Sequence, residues 1–204
     1  MALISPFKAV RPQRQFVSQV AALPYDVMTR EEAQKAVAGN ALSFLHVEKS
    51  EIDVPDGTPN DDDLIYQTAK RNFAQMREKG ILLQDKSPCF YIYRQQMGAR
   101  VQTGIVGLVS AREYDAGKIK KHELTRQDKE EDRTRHVNAV NAQTGPVFIT
   151  YRYRAKLDEI INQALTGNPE YNFTADDGVI HKVWVVDNPK QIQDIKNEFL
   201  SVDA

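Results

Sequence analysis

Three features of the sequence predict an α+β fold with a mixed or mainly antiparallel sheet and packed helices. Residues 89–95 and 101–112 are rich in β-formers and flank Gln96-Met97-Gly98-Ala99-Arg100, a glycine-containing hairpin loop. Residues 171–175 and 179–186 flank Asp176-Asp177-Gly178, the strongest hairpin signal in the chain. Residues 61–79 set Ile65, Ala69, Phe73 and Met76 on one face at helical spacing. Repeats, low-complexity tracts and long linkers are absent, so a single domain over residues 1–204 is predicted.

The elements follow in order. Residues 1–27 hold three prolines and read as an irregular entry segment ending in Pro24-Tyr25-Asp26. Thr29, followed by Arg30-Glu31-Glu32, predicts the N-cap of a short helix that stops near Gly39. The apolar run 42–47 predicts a strand, and residues 48–60, with two prolines, Gly57 and several acids, a loop. Asn60 or Asp61 then caps the long helix, which Gly80 closes. In the first hairpin, Gly104 and Gly107 point to a bulge or a close backbone approach. A helix is predicted over 128–142, a strand over 147–153, and a helix over 156–165 closed by Gly167. Asn188 with Pro189 starts the last helix, whose apolar stripe is Ile192, Ile195, Phe199 and Leu200.

Composition excludes several functions. Lys and Arg total 27 against 28 Asp and Glu, so no global field recruits nucleic acid or an anionic membrane. No apolar segment approaches the length of a membrane span, and the start carries no secretory signal. The sole cysteine, Cys89, cannot form an intrachain disulfide, which fits a reducing cytoplasm. Its neighbours Phe90, Tyr91 and Ile92 predict a buried, structural thiol. There is no Gly-x-Ser-x-Gly elbow, no phosphate-binding Gly-x-x-x-x-Gly-Lys loop and no Gly-x-Gly-x-x-Gly.

Residues 118–146, KIKKHELTRQDKEEDRTRHVNAVNAQTGP, concentrate the chemistry. The block joins two of the four histidines to acids, arginines and amides with little apolar padding. In a helix over 128–142, Asp132 and His136 lie one turn apart on one face. Lys121, Arg133 and Arg135, with Lys120, supply donors for a phosphate or carboxylate. Glu123, His136 and His122 are the candidate acid–base groups, and Asp132, Asp26 and Asn141 the supporting residues. Convergence of His122, Glu123, Arg133 and His136 on one concave surface is expected. The competing readings are a solvated helix with paired charges and a protein-binding surface. A metal site is disfavoured: His122-Glu123 lacks a second histidine at zinc-protease spacing, and nearby cations repel a divalent ion. His181 reads as a structural residue of its strand, and His46 as a core or rim histidine. No cofactor is indicated.

Several segments resemble the prokaryotic family labelled domain of unknown function 1015. They are Leu23-Pro24-Tyr25-Asp26-Val27, Leu42-Ser43-Phe44-Leu45-His46-Val47, and Lys120-Lys121-His122-Glu123-Leu124-Thr125 continuing through Asp132-Arg133-Thr134-Arg135-His136 to Asn141-Ala142-Gln143-Thr144-Gly145-Pro146. The resemblance runs in order along essentially the whole chain. Leu23 departs from it, since a proline is common there. The resemblance implies a protein about twice as long, of which this chain is the N-terminal part. Beyond the equivalent of Leu200 the longer relatives carry an Asp-Gly-His-His-Arg segment similar to the phosphate-handling motif of free serine kinases related to ParB and sulfiredoxin. The implied complete protein is a kinase-like phosphotransferase acting on a phosphorylated small molecule or a nucleotide, with its own C-terminal half as a partner. The alternative is a non-catalytic binding or scaffold domain.

Overall fold

The computed structural model describes residues 3–202. It is α+β with antiparallel sheets, as the sequence predicts. The packing falls into two compact units. One takes the chain up to Arg14, Gln84–Glu123 and the chain from Ile149 onward; the other takes Gln15–Leu83 and Leu124–Phe148.

The first unit is built on both predicted hairpins. Its main sheet has four antiparallel strands in the order Arg100–Val106, Phe90–Met97, Ile180–Val186, Tyr171–Thr174. Ile92 faces Ile105 on one neighbour and Trp184 on the other, so the pleat puts these side chains on one face. That face, with Phe90 and Val186, packs on Leu157, Ile160 and Ile161 of the Ala155–Ala164 helix. It also meets Ile195 and Phe199 of the Pro189–Phe199 helix, which Asn188 caps as expected. Gly178, at φ 81°, closes the second hairpin. Gly107 marks the expected close approach: a Cβ there would sit 2.8 Å from the Phe90 ring. Cys89 is buried, and burial pushes its thiol pKa up.

The second unit is mostly helical, and its central element is the Asp63–Glu78 helix. Asp62, rather than Asn60 or Asp61, caps it, accepting from the Leu64 backbone N–H at 2.8 Å. Ile65, Ala69, Phe73 and Met76 are buried on one face, as their spacing predicts. Thr29 caps the Arg30–Ala36 helix within a reciprocal box with Glu32.

Two expected strands do not form. Residues 42–47 lead instead into the Leu45–Glu48 helix, which is followed by a 3-10 turn at Ser50–Asp53. A short apolar run does not tell a strand from a buried helix by periodicity, and here Leu45 and Val47 are buried from a helical backbone. Residues 147–153 take no regular secondary structure and pair with no strand among the described residues. Val147, Phe148 and Tyr153 are left exposed. β-formers make a strand only where a neighbouring backbone supplies the ladder.

Candidate functional site

In the second unit the Gln127–Val140 helix covers about half of the polar block. Only His136 and Val140 are buried along its length. Apolar burial therefore does little to hold it, and polar contacts to the rest of its unit take over. The His136 Nε2–H donates to the Val47 carbonyl at 2.8 Å. The Tyr66 hydroxyl donates to Asp132 at 2.9 Å. Arg133 pairs with Glu48 at 3.2 Å and with Asp132 at 3.1 Å, and its guanidinium lies 4.2 Å from the centre of the Tyr25 ring. Arg135 pairs with Asp63 at 2.6 Å, donates to the Asp61 carbonyl, and stacks on Tyr66. Burial and the bond to Asp132 push the Tyr66 hydroxyl pKa up to about 12. Burial raises Tyr25 as well, with Arg133 opposing the shift. The helix ends where Asn141 turns left-handed at φ 56°, a conformation that asparagine tolerates better than most residues.

A cleft of about 480 Å³ opens along this helix. Lys129, Arg133, Thr134 and Asn138 form one wall, with Tyr25 and Gln143 beside them. Residues 129, 133 and 137, and 130, 134 and 138, recur at four-residue spacing, so one helix face presents them together. The cleft offers an ammonium, a guanidinium, hydroxyls and amides, and one acid, Glu130. Lys129 makes no ion pair among the described residues, whereas Arg133 is already neutralised by two carboxylates. Two buried polar atoms near the Arg133 anchor lack a partner, Glu48 Oε1 and His136 Nδ1. Among the described residues no three His, Cys, Asp or Glu side chains gather as metal ligands.

A family model described as protein of unknown function (DUF1015) matches residues 4–204. The chain belongs to this family. No curated protein and no solved structure matches it.

Within this DUF1015 chain, the residues that the sequence singles out fall into both units. Asp132, Arg133, Arg135, His136 and Asn141 lie on one helix and its cap. Asp132 bonds to Tyr66 and Arg133, and His136 bonds to Val47. Asp26 is exposed in the Tyr25–Val27 turn of the same unit. Lys121, His122 and Glu123 belong to the other unit and are exposed, with Lys121 Nζ 4.9 Å from the Tyr114 ring centre. Sequence reasoning missed Glu48, Tyr25 and Tyr66 as partners of the block. Glu48 lies 85 positions from Arg133, and nothing local in the sequence signals such a pair. The two tyrosines were open to a general expectation, since arginine favours aromatic faces. No described helix is long and apolar enough to cross a membrane.

Proposed function

We propose that the cleft along the Gln127–Val140 helix binds the phosphate group of a small molecule, and that the complete protein is a kinase-like phosphotransferase. The observation that carries this is Lys129, an ammonium with no ion-pair partner among the described residues, beside the Tyr25–Arg133 stack and on the wall that also carries Thr134 and Asn138. Arg133 is held by Glu48, Asp132 and Tyr25, so it loses little freedom when a ligand arrives. His136, buried and bonded to the Val47 carbonyl, acts in this reading as a positioning residue. Arg135 is a further cation on the same helix. The Asp-Gly-His-His-Arg segment of the longer relatives, which this chain does not contain, resembles that of free serine kinases and points to the same ligand class. The test is a titration of the chain with inorganic phosphate, ADP and ATP, followed by backbone amide shifts. Shifts confined to residues 129–143 and Tyr25 are expected. Silence toward all three ligands overturns the proposal.

A second reading, a non-catalytic scaffold, draws on the pairing of Arg133 and Arg135 with carboxylates of their own unit. Those contacts are what a structural ion-pair network would show.

A further inference from the structure

A second cleft, of about 340 Å³, lies in the same unit beside the Asp63–Glu78 helix. Arg71 and Lys79 line it two turns apart, with Gln75 between them on the same edge. Met76, Leu42 and Ile81 add apolar surface. His46 also lines it, with an acceptor at each ring nitrogen: the Asp53 carboxylate 2.9 Å from Nδ1 and the Asn40 carbonyl 3.3 Å from Nε2. A ring so placed donates from both nitrogens when it is protonated. The bond to Asp53, with its charge, raises the His46 pKa against the opposing effect of burial.

The charges around the cleft do not cancel. Asp53 is the only carboxylate in its lining, and its oxygens already accept from His46 and from the Asn72 side-chain amide. Arg71 makes one long bond, 3.3 Å, to the Thr68 hydroxyl, and neither it nor Lys79 pairs with an acid among the described residues. Two permanent cations, joined by His46 when it is protonated, thus face one carboxylate that is already committed. A guanidinium matches a carboxylate bidentately, an ammonium adds a point charge, and the apolar floor takes a hydrocarbon body.

We propose that this cleft is a binding site for a small organic anion, a carboxylate carried on a short apolar chain. The site is separate from the one along the Gln127–Val140 helix and takes a different ligand. Arg71 and Lys79 hold the head group, and Met76, Leu42 and Ile81 cover the chain.

Hexanoate is the probe, followed by the side-chain amide signals of Asn72 and Gln75 in a nitrogen-15-labelled sample, with acetate and inorganic phosphate as comparators. Hexanoate is expected to shift both signals saturably. Acetate, four methylenes shorter, should bind at least about tenfold more weakly. Arg71→Gln and Lys79→Gln, both exposed positions, should each weaken hexanoate by about fivefold or more, while Lys129→Gln leaves it unchanged. No shift with hexanoate, or equal affinity in both variants, overturns the site. Phosphate binding here more tightly than hexanoate overturns the assignment of its ligand. Loss of hexanoate binding in Lys129→Gln places the ligand in the other cleft and overturns the proposal too.

Discussion

The two longest helices of the second unit are built on opposite terms. Asp63–Glu78 buries six side chains, among them Ile65, Phe73 and Met76. Gln127–Val140 is nearly as long and buries two, one of them a histidine. The first is held by a non-directional force that needs only an apolar stripe of the right width. The second is held by directional contacts: His136 to a carbonyl, Asp132 to a hydroxyl, and Arg133 and Arg135 to carboxylates and rings. A helix fixed in that way can leave a whole face polar without detaching. That is the condition a ligand cleft needs, and the cleft lies along this helix.

The comparison predicts different responses to mutation. Phe73→Ala should cost about 3–5 kcal/mol, because the buried ring leaves a cavity. The loss, measured by urea unfolding, should be the same in dilute buffer and in 1 M salt. A loss under about 1 kcal/mol would mean that the apolar helix is not the anchor of its unit. Arg133→Met comes next. It strands Glu48, whose side chain is only 11% exposed, and should cost about 1–3 kcal/mol. Here high salt should narrow the gap to wild type, since part of the loss is an ion pair at the surface of the cleft. An equal loss at both salt concentrations would assign Arg133 to packing and blur the distinction between the helices.

The smallest effect concerns pH. His46 has its pKa raised above the ordinary 6.5, through its bond to Asp53. A raised folded-state pKa contributes stability that is fully present below the unfolded value and is lost as pH rises through the folded one. The His46–Asp53 pair should therefore stabilise the protein at pH 5.5–6 and fade above neutrality, by less than about 1 kcal/mol for a partly exposed pair. A His46→Asn variant should lack that part of the pH profile. A pair whose stability grew with pH would contradict the raised His46 pKa.

The difference between the helices also explains what the sequence discloses. Asp63–Glu78 was legible because Ile65, Ala69, Phe73 and Met76 repeat at helical spacing, and the two hairpins because Gly98 and Asp177-Gly178 punctuate runs of β-formers. Those signals are local. The strands expected over 42–47 and 147–153 failed for non-local reasons: one run folds as a helix that buries Leu45 and Val47, and the other finds no ladder partner among the described residues. The polar block announced itself by density, and its helix appeared within two residues of the expected ends. Its partners did not: Glu48 falls in the segment predicted as a loop, and Tyr25 at the end of the irregular entry segment. Pairs between residues 85 or 66 positions apart leave no period to read.

The most direct test of the central claim sets Lys129→Gln beside Arg133→Met and measures two quantities on each, the melting temperature and the affinity for ADP. Lys129 is exposed and makes no ion pair among the described residues, so its variant should melt with wild type and bind at least about tenfold more weakly. Arg133→Met should melt several degrees lower. A Lys129→Gln protein that binds ADP as wild type does, or that melts as low as Arg133→Met, would contradict the division of this helix into charges that hold the fold and a charge that holds the ligand.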